Sequence, residues 1–335
     1  MRGALRFVRF KGERMASALS RREALAGFAG SMALLSLKPA LAADPLPLLR
    51  VSIVPIFAVA PQFAAAKLGY FAAEGIETST QLVQGGAVGI PGLVSGSFDV
   101  LYSNSISFLT ALERGIDLRI VAEATPITEK PPDPGALLQR KGAGLKSGKD
   151  LEGKITGINA KFDIQWLVVQ GWVQKTGGDL SKIIYREVPL PSMLDALRGG
   201  QVDAALVLDP FMTVGLNDPN FELLGWPLST TMPGLPSSLW IVSGNVADTK
   251  ADLIRAYRRG FVKGVEWCNE HLGDAQYIQL VASYTRTDEK ILAKMVLGKQ
   301  PTDIDVASIE RLVALMKQYD LLKTDPDIRS KIFKS

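Results

Sequence analysis

Lys161 is the charged residue that this chain places best for gripping an anion. It stands in a loop ahead of an apolar helical segment, with Phe162 and Trp166 close by to cover the nonpolar part of a solute. A lysine in such a loop serves equally well as a solvated surface charge. Gly85-Gly86-Ala87 offers a second kind of chemistry, because residues without bulk at Cβ let backbone N–H groups come close to an anionic group. The hydroxyls of Ser103, Ser105 and Ser192 can donate to the same group, or can close turns and cap helices. Asp209 can balance an amine or cap the helix beginning at Pro210, and Arg140, beside Lys141, can reach inward or face water.

Catalytic chemistry is harder to assemble. The chain has one histidine, His271, and one cysteine, Cys268, three residues apart in a helical segment. Two ligands do not make a zinc site, which needs three or four, and no Ser-His-acid set is evident around His271. The segment 142–150 has the wrong glycine spacing for a phosphate loop, and Asp150 replaces the Ser or Thr that would hold magnesium. Gly85-Gly86-Ala87-Val88-Gly89 is likewise no dinucleotide fingerprint. No catalytic residue, metal or cofactor is expected, although a fold by itself leaves catalysis open.

The frame that must position these residues repeats. Val51-Ser52-Ile53-Val54-Pro55 and Ile155-Thr156-Gly157-Ile158-Asn159 are short apolar strands 104 residues apart. The same offset relates Gly85-Gly86-Ala87 to Pro189-Leu190-Pro191, Gly96 to Gly200, and Asp99-Val100-Leu101 to Asp203-Ala204-Ala205. One offset serving a strand, a loop, a helix end and another strand implies two similarly built βα units. The first has strands over 49–54, 76–83 and 99–103, with helices over 61–68, 90–94 and 105–114. The second has strands over 154–159, 183–188 and 203–208, with helices over 163–175 and 191–198. Such alternation predicts an α/β chain of two lobes, each a doubly wound, mostly parallel sheet with flanking helices.

From residue 250 the pattern turns helical, with Leu253, Tyr257, Phe261 and Val265 on one face, and Ile309, Leu312, Val313 and Met316 repeating likewise within 304–322. The stretch 237–243 reads as a strand returning to the first lobe. Proline clusters near 125–135 and 233–237 mark two crossings, which together make a hinge. The expected boundaries are 43–128 with 238–335 for lobe I, and 129–237 for lobe II. Ligands of open parallel sheets bind beyond the carboxyl ends of the strands, where helix N-termini point free N–H groups. Those ends carry Phe57 and Gln62, Gly85 to Ala87, and Ser103-Asn104-Ser105 on the first lobe. On the second they carry Asn159, Lys161, Phe162 and Asp163, with Trp166 behind, then Leu190-Pro191-Ser192 and Asp209.

The first forty-two residues read as a leader. Ser20-Arg21-Arg22 precedes a moderately apolar run over 24–37, and Ala40-Leu41-Ala42 is a small-x-small cleavage site. The run is too short to span a bilayer, which takes roughly 20 apolar residues. The paired arginines resemble a twin-arginine signal, with Ala24 where Phe is usual, and Met15 lies at a more usual distance from them than Met1. The chain's formal +4 includes +6 from this segment, so the mature protein carries about −2. That excludes nucleic acid as the expected partner. With the lone Cys268 far from the leader, there is neither a disulfide framework nor a lipid anchor, and a periplasmic monomer is expected.

Gly69-Tyr70-Phe71 with Glu74-Gly75-Ile76-Glu77, the Gly96 to Asp99 junction, Asp150-Leu151-Glu152-Gly153-Lys154-Ile155 and Asp209-Pro210-Phe211 resemble one known family. It is that of the periplasmic solute-binding proteins of ABC importers. The chain is most similar to the subgroup taking up nitrate, aliphatic sulfonates, taurine and thiamine precursors. Asp209 departs from it, since Glu more often precedes that proline. The resemblance implies a type II periplasmic binding protein fold, closure on a small solute, and delivery to an inner-membrane ABC permease. The expected solute is an organic anion, a sulfonate or carboxylate with an apolar or aromatic body. The alternatives are a neutral pyrimidine-like thiamine precursor, or an exported enzyme on the same fold.

Overall fold

The computed structural model describes residues 45–334, so the leader reading and the expected cleavage after Ala42 lie outside the described residues. The first sheet is built from Leu48–Ile53 (β1), Glu77–Leu82 (β2), Val100–Asn104 (β3), Leu118–Glu123 (β4) and Ser238–Ser243 (β10), ordered β2-β1-β3-β10-β4. The second uses Gly135–Arg140 (β5), Ile155–Ile158 (β6), Ile184–Glu187 (β7), Ala204–Leu208 (β8) and Phe221–Gly225 (β9), ordered β7-β6-β8-β5-β9. Central strands β3 and β10 are wholly buried, as strands covered on both faces must be. The edge strands β2 and β7 are largely exposed and carry the charges of Glu77, Arg186 and Glu187, which discourage pairing with another chain.

Each sheet is parallel but for one strand. β10 runs antiparallel to β3 and β4, and β5 antiparallel to β8 and β9. These are the two strands that enter from the other sheet. A chain crossing from the carboxyl end of one sheet starts its next strand at the carboxyl end of the other, and so runs against its neighbours. The crossings pair with each other. Ile127 N–H donates to Leu235 O at 2.9 Å, and the Ser237 hydroxyl to Thr125 O at 2.7 Å.

The 104-residue repeat is structural. Val51 lies opposite Thr80 across β1 and β2, and Ile155 opposite Ile184 across β6 and β7. Gly96 and Gly200 both end helices in the left-handed region, at φ of 75° and 71°, where a side chain would be strained. Asp99 and Asp203 then accept the backbone N–H of Arg50 and of Ile155, at 2.9 and 2.8 Å. Each aspartate ties the third strand of its unit to the first. Pairing with that third strand slips by one residue between the units, since Val51 faces Val100 but Thr156 faces Ala204.

The tail helix Ala251–Glu270 buries Tyr257, Phe261 and Val265, with Leu253 packed alongside. Its Gly264 permits close contact with the helix Ala60–Lys67, because a Cβ there would fall 2.4 Å from Pro61 O. Two expectations need correction, and two strands were missed. The helix expected over 90–94 is Gly86–Val94, its early turns hidden by glycines of low helix propensity. The helix expected over 304–322 is Val306–Gln318, started by the Asp305 carboxylate, which accepts Ser308 N–H at 3.1 Å. Strands β4 and β9 were not anticipated, although LRIVAE in β4 is a short apolar run with β-branched residues and FELLG in β9 a shorter one.

Candidate functional site

The carboxyl ends of both sheets enclose a cavity of about 60 Å³. Ile56, Phe57, Ala58 and Tyr102 form one wall, with Pro134, Ile164, Gln165, Leu208, Asp209 and Leu228 opposite. The crossings complete it with Thr125, Pro126, Ile127, Ser237 and Ser238. The lining is mostly apolar and, among the described residues, includes no lysine or arginine. A space of this size accommodates a handful of water-sized groups.

The polar part of this region comes from the loop between β6 and the helix Ile164–Lys175. Asp163 caps that helix, its Oδ1 accepting Gln165 N–H at 2.9 Å and Trp166 N–H at 3.3 Å. Its Oδ2 is buried without a partner. Burial pushes the Asp163 carboxyl up to about 7, against the opposing pull of its hydrogen bonds. The Gln165 Oε1 accepts Asn159 N–H at 2.7 Å, while its Nε2 has no partner. Asn159 in turn joins the lobes. Gln84 Nε2 donates to Asn159 O at 3.0 Å, and Asn159 Nδ2 to Gln84 O at 3.3 Å. Gly85 fits this junction because a Cβ there would lie 2.9 Å from Asn159 Nδ2.

Of the residues singled out by sequence, Phe57 and Asp209 line the cavity, and Asn159 and Asp163 belong to the junction beside it. Asp209 is already engaged. Its Oδ1 accepts from the Thr213 amide and hydroxyl at 2.9 and 2.6 Å, and its Oδ2 from Val296 N–H at 3.1 Å, so it caps a helix and straps down the tail. Burial raises its carboxyl to about 6. Gly86 approaches Ser103, whose hydroxyl donates to Asn104 O at 3.1 Å; Asn104 caps the helix Ser105–Glu113. Ser105 donates to Pro236 O at 2.6 Å and so anchors a crossing.

Gln62 lies elsewhere, in the first-lobe core, donating to Thr78 Oγ1 and accepting from the Tyr257 hydroxyl at 2.8 Å. Arg140 bonds Leu197 O and Val202 O on the far side of the second sheet. Leu190 is buried and Pro191 borders a groove of about 260 Å³ with Val54, Leu82 and Gln84, while Ser192 is exposed. Lys161, Phe162 and Ala87 line a separate outer groove of about 180 Å³, shared with Arg114, Ser107 and Thr110. Trp166 stacks obliquely between Phe162 and Tyr185. Sequence reasoning missed Gln165, Thr125 and Tyr102. Tyr102, near the carboxyl end of an expected buried strand that runs into an expected helix, was the one with a readable signal.

The His271 ring stacks on Trp267 at 4.4 Å, and its Nδ1 contacts Trp267 O. Cys268 is buried, which pushes its thiol up to about 12. Among the described residues no three His, Cys, Asp or Glu side chains converge as metal ligands, and no helix is long and apolar enough to cross a membrane.

A family model described as NMT1/THI5 like matches residues 56–275, well over half of the chain, and the protein belongs to that family. No curated protein matches it by sequence. Its fold is the two-lobed fold of periplasmic binding proteins. It is similar to the alkanesulfonate-binding protein SsuA of Xanthomonas axonopodis pv. citri bound to MOPS, at 18% identity and TM-score 0.71, covering 88% of this chain and 100% of that one. The periplasmic nitrate-binding protein NrtA of Synechocystis PCC 6803 gives 12% identity and TM-score 0.67, covering 85% and 84%. A DSZB mutant in complex with biphenyl-2-sulfinic acid gives 14% identity and TM-score 0.56, covering 85% and 96%.

Proposed function

We propose that this protein is the periplasmic substrate-binding component of an ABC importer, taking a small solute between its lobes and handing it to an inner-membrane permease. One observation carries the reading. The cavity is lined from both lobes and both crossings, so its full set of contacts exists only when the lobes are together. A solute touching both walls therefore shifts the hinge equilibrium toward closure. Family membership and the likeness to sulfonate- and nitrate-binding proteins support the same reading.

For the solute, the mostly apolar central cavity favours a neutral molecule with an apolar body over the organic anion expected from sequence, because no lysine or arginine among the described residues lines it. An anion is the second reading, favoured by Arg114 and Lys161 in the outer groove. Mass spectrometry of solute carried through gentle purification from periplasm tests both. A neutral solute, released chemically intact, supports the first. A sulfonate or carboxylate supports the second, and conversion of the recovered solute into a product overturns the binding-protein reading.

A further inference from the structure

We propose that Gln165 is the specificity-determining residue of the central cavity, selecting solutes that present a neutral hydrogen-bond acceptor on an apolar frame. This rests on the receptor reading above. Gln165 is 1% exposed and belongs to the cavity lining. Its orientation is fixed by chemistry, since Oε1 accepts Asn159 N–H at 2.7 Å and a flipped amide would set two donors against each other. Nε2 is therefore the free end, a buried donor with no protein partner. Thr125 Oγ1, on a crossing that lines the same cavity, is also unpartnered.

A buried donor left unpaired carries its full desolvation penalty, which a solute acceptor relieves. A solute lacking one leaves that penalty in place and is rejected. Charge decides among acceptors. A carboxylate or sulfonate would satisfy Gln165 Nε2 but would enter a lining without cations, with the carboxyl of Asp209 in the wall. A cation brings no acceptor, and both oxygens of Asp209 are already engaged by Thr213 and Val296. The same carboxamide also touches the closure junction, because Asn159, which it holds by Oε1, pairs with Gln84 across the lobes.

Benzamide, benzoate and benzylammonium share one ring and differ in charge and acceptor, so calorimetric titration of the full mature chain with each at pH 8 reads the selectivity. Benzamide is expected to bind more than tenfold tighter than either ion. Gln165→Glu keeps the shape and the Oε1 acceptor but removes the donor; it should weaken benzamide more than tenfold and bring benzylammonium level with it or above. Gln165→Met, which keeps apolar packing, should lose the preference without inverting it. Melting without probe shows which variants fold. Preference for benzoate, equal weakening of all three probes in both variants, or no benzamide binding to the wild type overturns the assignment. A wild type that binds benzoate, or carries another co-purified solute, leaves the receptor reading standing; one that binds no probe and carries no solute loses both.

Discussion

After β1 the chain runs through Pro55, Ile56 and Phe57 into a helix, and 104 residues later, after β6, it runs through Asn159, Ala160 and Lys161 into another. The first junction is apolar, and its carbonyls are engaged. The carbonyls of Ile56 and Phe57 accept the Tyr284 hydroxyl at 3.2 and 3.4 Å, and the Ile56 and Phe57 side chains enter the core. The second leaves Asn159 Oδ1, Asp163 Oδ2 and Gln165 Nε2 buried without partners. Equivalent positions in a repeated frame thus carry unequal chemistry. The first junction supplies a wall, and the second supplies directional polar contacts.

The largest expected effect tests the wall. Phe57 is 5% exposed, and Phe57→Ala should cost about 3 kcal/mol in chemical denaturation, as for other buried aromatics. A loss under about 1 kcal/mol would show that the ring is not part of the core.

Asp163→Asn probes the second junction. Burial holds the Asp163 carboxyl near 7, above its ordinary 3.8, so its contribution to stability is fully present below about pH 4 and is lost as pH rises through 7. Asparagine keeps the helix cap without the charge. The variant should be more stable than wild type by roughly 2 to 3 kcal/mol at pH 8 and about equal at pH 4. Glu123 and Asp209 are raised by burial too, so part of the pH slope should survive. A difference independent of pH would refute a buried charge at this cap.

A smaller effect is expected from Gln84→Ala, which removes one cross-lobe hydrogen bond worth about 1 kcal/mol. Small-angle scattering should show a larger radius of gyration without loss of helix content; an unchanged radius would mean that the remaining contacts, Asn159 Nδ2 to Gln84 O and Val296 N–H to Asp209 among them, hold the lobes without it. Lys161→Ala should change stability by less than about 0.5 kcal/mol, since the side chain is exposed. If it instead weakens benzoate more than tenfold, the outer groove and not the central cavity takes anions.

Much of the frame was legible in the chain. The offset found in Gly96 and Gly200, and in Asp99 and Asp203, survives as matched helix ends and matched strand ties, because a left-handed glycine and a strand-tying carboxylate need particular residue types. The cavity was less legible. Phe57 and Asp209 follow from the rule that ligands sit at strand ends, but Gln62, one turn further along its helix, faces the core instead. Lys161 has the right charge, yet its backbone N–H is fixed to Glu187 while its side chain stays in water at the outer groove.

Periodicity and turn chemistry are local, so the sequence by itself determined two βα units, two crossings and an apolar tail face. Which polar atoms would be left without partners is a property of the assembled whole. Asp209 has both oxygens engaged only because Val296, 87 residues away, returns to it, and Gln165 Nε2 is the free end only because Asn159 claims the other end of the amide. Such assignments arise where distant segments converge and exclude water, and only tertiary structure sets which segments those are.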